Sequence, residues 1–359
     1  MNNNYSNTPD FTVYKGTDNE NPSKNVLMGV FHRNQAEEDE LDILQHNLDS
    51  GMIEPNEALS HAKELSKKFP NNIEIQNFTA NLLKFSFGME DAAFKIWERL
   101  YKVNYGLIPK GFKGQISWYD LGNRPFLRIA YAYLICLIAL KEAKTAKNIG
   151  NKLLKWCPSD NLGVRFVMGD VYMSLGDYPA ALDLYLKEAS FHPPLWYKAG
   201  QLAFRQGDFV TSCTYMRKGI ASNPYIAEGI TGRIELEEHR YFHGSNAHGP
   251  SFAEDYLILD PTCCWPQEEV DFLDWLFNSS HVLKERAEIM TLHENLTYEY
   301  DPSKRRSSVD KLFNFENQIN DELSKQLVRK VKNRFNQDIW PWQWSSKMLD
   351  VIKVDRPIH

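Results

Sequence analysis

The chain has 359 residues, 43% hydrophobic and 13% aromatic, enough apolar side chains for a large core. Its formal net charge of −6 excludes overall attraction to nucleic acid or an anionic membrane surface, and no run of about 18 apolar residues is present to cross a bilayer. Five cysteines (Cys136, Cys157, Cys213, Cys263 and Cys264) are an odd count in a long chain, and they fit reduced thiols in a cytoplasm better than a disulfide framework.

The opening MNNNYSNTPDF has neither a basic start nor an apolar segment, so no secretory signal is expected. Residues 1–35 are Asn-rich and polar and predict a flexible arm, or at most a strand-like extension. Val26 to Phe31 is a short apolar patch within it. A helical repeat domain is expected over 36–241. Leu41, Leu44 and Leu48 recur at helical spacing, with Ile43 beside them. A second helix runs to Pro70 with Ala58, Leu59, Ala62 and Leu65 inward. Ile73 to Leu83 and Asp91 to Val103 form a pair about Gly88, with Ala93, Trp97 and Leu100 inward. Residues 105–125 carry six glycines and prolines and predict an inserted loop that folds back through Trp118, Tyr119 and Leu121. Phe126 to Leu140 and Glu142 to Trp156 form another pair, with Lys141 at the turn where glycine is usual.

Leu162 to Pro193 places Gly169, Tyr172, Gly176, Tyr178, Ala181, Tyr185 and Pro193 at the spacing of a helix–turn–helix unit. Gly169 and Ala181 let two helices cross closely. Gly176 turns the chain at little steric cost, and Pro193 ends the second helix. A further unit has Trp196, Gly200, Gly207, Phe209 and Pro224. From Pro158 through Pro193 to Pro224 the period is 35 and then 31 residues. This pattern resembles the tetratricopeptide repeat, a unit of about 34 residues. The expected fold is therefore all-α: a TPR-like α-solenoid, a right-handed stack of helix pairs. A helix over Tyr225 to Tyr241 is expected to start the cap, and residues 242–359 to add a helical C-terminal extension with a long helix over Ser308 to Phe335. Single units cannot bury their own apolar faces, so neighbours are required.

Three local strings sharpen the resemblance. They are Asn123-Arg124-Pro125-Phe126-Leu127-Arg128, then Ser159-Asp160-Asn161-Leu162-Gly163-Val164-Arg165, then Ala253-Glu254-Asp255-Tyr256 before Trp265. Together they resemble a group of tetratricopeptide-repeat proteins carrying N-R-P-F-L-R, N-D-N-x-G-x-R and A-E-x-Y strings, with serine at 159 in place of the first asparagine. The likeness covers roughly residues 115 to 265 and implies a fold without implying an activity. Read from the residues, Asn161 can cap the following helix. Arg124 and Arg165 can reach carbonyls or carboxylates at helix junctions, and Asn123 belongs to the same motif.

Stacked repeats present their first helices to a concave side. Outward positions there are Phe85, Ile135, Asp170, Met173, Tyr197, Gln201, Phe204 and Arg205, aromatic and polar groups suited to an extended peptide or a helix. The function expected is a non-catalytic protein–protein interaction module, a scaffold, adaptor or chaperone-like protein, holding a protein or peptide partner without a cofactor. The competing reading fills that groove in cis with the 105–125 loop or the C-terminal helix. Two other functions compete with this one. The segment from Lys304 to Arg334, rich in Lys and Arg and followed by Trp340, Trp342 and Trp344, would suit a nucleic-acid accessory factor. The loop holding His239, His243, His248, Cys263 and Cys264 would suit a metal-dependent enzyme. It lacks the glutamate of the zinc-protease pattern, and no phosphate loop or G-x-S-x-G string occurs.

Overall fold

The computed structural model describes residues 11–18, 23, 25–32, 35–232, 235–239, 244–260 and 263–343. Residues 1–10, His243 and Trp344 lie outside them. The chain divides into two compact units, Met1–Leu175 and Gly176–His359. Most of the described residues are helical, with 16 α-helices and two short antiparallel hairpins among them. Among the described residues no helix is long and apolar enough to cross a membrane.

The first unit starts with strands β1 (Phe11–Thr17) and β2 (Asn25–Phe31), paired antiparallel with Phe11 opposite Phe31. Seven helices follow: α1 (Gln35–Asp49), α2 (Pro55–Lys68), α3 (Ile73–Asn81), α4 (Glu90–Tyr105), α5 (Arg124–Ala139), α6 (Ala143–Trp156) and α7 (Val164–Ser174). Each packs on the next, and α5 also touches α3 and α7. Local chemistry fixes the ends. Asn72 caps α3 by accepting from the backbone N–H of Glu74 and Ile75 at 3.1 Å each. A π-helical turn, Leu82–Ser86, inserts one residue before α4, so the Met89 N–H reaches back to the Leu83 carbonyl. Between α5 and α6 the Glu142 N–H donates to the Leu137 carbonyl at 2.8 Å, with Lys141 in the left-handed region at φ 60°.

The arm expected over residues 1–35 gives way, over 11–17 and 25–31, to that hairpin, which docks on the 105–125 segment. Gly29 N donates to Gln115 O at 2.7 Å and Gln115 N to Leu27 O at 2.8 Å, so the loop adds a short third rung. Asn123, fully buried, rivets the junction. Its Oδ1 accepts from Phe31 N at 3.0 Å, and its Nδ2 donates to Gly29 O and Ser117 O. Gly114 and Gly122 are required there, because a Cβ would lie 2.3 Å from Leu27 O or 2.0 Å from Phe31 O. Phe31 then packs 4.6 Å from Phe126, which also meets Tyr101 and Trp156.

The second unit holds α8 (Tyr178–Glu188), α9 (Pro194–Arg205), α10 (Phe209–Ser222), α11 (Pro224–Ile230), α12 (Pro250–Leu259), α13 (Gln267–Phe277), α14 (Ser280–Tyr298), α15 (Pro302–Gln318) and α16 (Asp321–Leu327), then β3 (Val331–Lys332) and β4 (Asp338–Ile339). The α9–α10 turn repeats the bond seen at α5–α6. Asp208 N donates to Ala203 O at 3.0 Å, with Gly207 left-handed at φ 79°. The core joins Tyr197, Met216, Phe272, Leu276 and Trp342.

Two expected helices are shorter than periodicity suggested. The one over Tyr225 to Tyr241 stops at Ile230, two residues before Gly232 at φ 109°. The long one over Ser308 to Phe335 breaks after Gln318. Ile319 leaves the helical path into the interior, Asn320 caps α16 by accepting from Glu322 N at 2.9 Å, and the β3–β4 hairpin follows. Ile319 is buried while Phe335, in the same expected helix, is exposed.

Candidate functional site

Four of the residues predicted to line an open groove, Tyr197, Gln201, Phe204 and Arg205, lie on α9, and the structure corrects that expectation. Every residue from Pro194 to Phe204 is buried, the mark of a helix enclosed by its neighbours. The Tyr197 hydroxyl donates to Asn223 O at 2.7 Å. Phe204 packs among Phe209, Phe272 and Trp342. The polar side chains form a ladder at positions 198, 201 and 205, one face of a helix. Lys198 Nζ meets Asp260 Oδ2 at 2.8 Å. Gln201 Nε2 donates to Cys264 O at 3.1 Å and Glu269 Oε2 at 2.7 Å. Arg205 donates through Nε and Nη2 to Glu269 Oε1 and Oε2 at 2.6 and 3.0 Å. That fork holds the Arg205 pKa above its ordinary value, chiefly through the Glu269 hydrogen bond. The occupants are the chain's own Asp260, Cys264 and Glu269, which neither the 105–125 loop nor the C-terminal helix supplies.

The other side of this hairpin is closed as well. Arg217 on α10 is buried and spends its donors on Glu285 Oε1 and Oε2 of α14, on Asn320 O at 2.9 Å and on Ser324 Oγ at 3.0 Å. Thr214 Oγ1 lies 2.6 Å from Asp321 Oδ1. Ser190 Oγ donates to Glu316 Oε1 at 2.8 Å, and burial pushes the Glu316 carboxyl above the usual carboxylate range. Cys213 lies beside Ser324, its thiol pushed up to about 11 by burial.

The first unit keeps an open polar ledge. Trp118, in the segment before α5, lies under two guanidiniums, Arg124 at 5.2 Å and Arg128 at 5.5 Å from the ring centre. Arg124 Nε donates to Trp118 O at 3.0 Å, which pins the side chain while its two Nη groups meet no acceptor among the described residues. Arg128 Nη1 pairs with Glu74 Oε1 of α3 at 2.9 Å. Arg124, Arg128 and Glu74 border a cavity of about 240 Å³ whose opposite wall is α1, with Glu38, Asp42 and Gln45. The ledge unites α1, α3 and α5 through residues 38 to 128, and the periodicity of no single segment announces it. The pair Arg124 and Arg128, four apart on one helical face and six to ten residues after Trp118, was the available signal.

The remaining predicted residues scatter. Phe85 is 58% exposed on the π-helical turn, with Lys84 Nζ 5.2 Å from its ring. Asp170 is buried on α7, while Met173 and Ile135 are half-buried. Asn161 does not cap α7. The neighbouring Asp160 does, accepting from Val164 N at 2.7 Å and Arg165 N at 3.0 Å, because Gly163 at φ 73° swings residue 160 under the helix start. Arg165 Nη1 pairs with that carboxylate at 3.0 Å, and Asn161 Oδ1 accepts from Ser159 Oγ instead.

Of the metal-loop candidates, His239 Nε2 lies 2.9 Å from Glu228 Oε1 with its ring against Tyr225. Among the described residues no three His, Cys, Asp or Glu side chains converge as ligands would. The basic segment proposed for nucleic acid is divided between α15, α16 and β3. The Trp342 ring is buried against Phe272 and stacked on Trp340, so that pair offers no platform to bases.

No protein-family model matches the chain, and no curated protein matches it significantly.

Proposed function

We propose that the helix pairs are TPR-like repeats and that the protein is a non-catalytic interaction module, a scaffold or adaptor that holds a protein or peptide segment. Support for the repeats comes from the shared turn, where Glu142 and Asp208 close the same backbone bond five residues back over a left-handed residue. The adjacency of α3, α5 and α7 agrees with first helices lining one side. Five free cysteines accord with a reducing cytoplasm.

The observation that carries the reading is the contrast in polar occupancy. The α9 ladder ends on acceptors of its own chain, whereas the Trp118 ledge keeps the Arg124 Nη donors on the border of an open cavity. Rigid aromatic and arginine groups on a pre-formed surface are what tight recognition uses. The partner therefore belongs on the ledge side of the first unit, with Phe85 as a further exposed contact on α3's continuation.

Affinity capture by the intact chain tests this. Trp118→Ala combined with Arg128→Ala should lose a co-purifying partner while the thermal midpoint stays close to the parent's. A partner retained by that double variant would remove the ledge from the account.

A further inference from the structure

We propose that the cavity beside Trp118 binds a small zwitterion, a free α-amino acid or a molecule with the same pairing of carboxylate and protonated amine. This goes beyond the partner-binding reading and does not depend on it. Three acids, Glu38, Asp42 and Glu74, and two arginines, Arg124 and Arg128, share the cavity. A simple anion would meet a surplus of carboxylates, and a simple cation would meet two guanidiniums. A molecule carrying both signs satisfies both walls.

The groups are held ready. Arg124 is fixed by its Nε bond to Trp118 O and by the indole beneath it, and it lines the cavity with its Nη groups unspent among the described residues. A planar guanidinium edge matches a carboxylate in bidentate fashion, which a lysine does not. On the facing helix, Asp42 and Gln45 have no hydrogen-bond partner among the described residues, and Asp42 is exposed. They offer acceptors for an ammonium group. The volume of about 240 Å³ lies below the range of drug-sized ligand pockets and leaves room for a molecule of amino-acid size. Leu41 and Leu121 supply the small apolar border.

The test uses the full chain with ¹⁵N-labelled indoles, the Trp118 resonance being assigned from its loss in Trp118→Phe. L-Glutamine, L-glutamate and L-arginine are titrated to about 10 mM, ten times a millimolar Kd. At least one should shift the Trp118 resonance saturably. Its N-acetyl and carboxamide forms should bind about tenfold or more weakly, since each removes one charge-assisted contact. Arg124→Lys and Asp42→Asn should each weaken the free amino acid by a similar factor with an unchanged thermal midpoint. No saturable shift with any of the three overturns the proposal. So does equal binding of the blocked forms, or a response only to a terminally blocked peptide bearing neighbouring Glu and Lys side chains, which would assign the cavity to the protein partner.

Discussion

Helix α5 in the first unit and helix α9 in the second both carry long polar side chains at helical spacing, and their surroundings make them different objects. On α9, Lys198, Gln201 and Arg205 each end on an oxygen of residues 260–269, and the helix is enclosed from Pro194 to Phe204. On α5, Arg124 and Arg128 rest on one indole face and border an open cavity. Spacing alone reads these helices alike. The difference lies in what comes back to cover them, which is decided by residues 60 to 70 positions downstream. A polar ladder satisfied from within the chain stabilises a unit. A ladder left partly open recognises something else.

The comparison is breakable on the closed side first. Glu285→Ala leaves the buried Arg217 guanidinium without its carboxylate, though Asn320 O and Ser324 Oγ remain. Stability of the second unit should fall by about 3 kcal/mol in chemical denaturation. A loss below about 1 kcal/mol would mean that water replaces the lost partner and that this face is looser than the geometry implies. In the first unit, Asn123→Ala leaves Phe31 N, Gly29 O and Ser117 O without their buried partner, and should cost about 2 kcal/mol. Hydrogen exchange should show the loss concentrated at the β1–β2 hairpin. Unaltered protection there would say the hairpin does not depend on that rivet.

Smaller changes sharpen the contrast. The equivalent turns carry Lys141 in the first unit and Gly207 in the second, both left-handed. Lys141→Gly should therefore stabilise by roughly 1 kcal/mol in thermal unfolding, the cost of that region for a residue with a Cβ. Glu316→Gln gives the smallest effect and the one with a pH signature. The folded carboxyl has a raised pKa through burial, so its stabilising contribution is present in acid and fades as pH rises through that value. The glutamine variant should match the parent in acid and exceed it at neutral pH. Equal pH profiles would show that Glu316 ionises without penalty.

Much of the helical scaffold was legible because apolar spacing and turn chemistry are local. Ala58, Leu59, Ala62, Ala93, Trp97 and Leu100 face inward as their spacing predicted. Lys141 sits in the left-handed conformation that its turn position implied. The hairpin over 11–17 and 25–31 was hidden because its stability comes from Asn123 and Gln115, about a hundred residues later, and not from its own polar composition. The break at Ile319 was hidden because an apolar residue at helical spacing can equally well leave the helix and plug a core. The closure of α9 is not legible in its own spacing, because Glu269 and the Cys264 carbonyl carry no local mark of their target. Asp160 took the capping role given to Asn161 through the backbone direction set by Gly163.

One measurement addresses the closed face most directly: the thermal midpoint of the full chain carrying Tyr197→Ala and Arg205→Ala together. Tyr197 is wholly buried and bonded to Asn223 O, and Arg205 neutralises the buried Glu269. Their loss should lower the midpoint of the second unit by about 10 °C, from a core truncation of about 3–5 kcal/mol plus an uncompensated carboxylate. A midpoint within about 2 °C of the parent would contradict the account, since only side chains lining an open groove can be removed at so little cost.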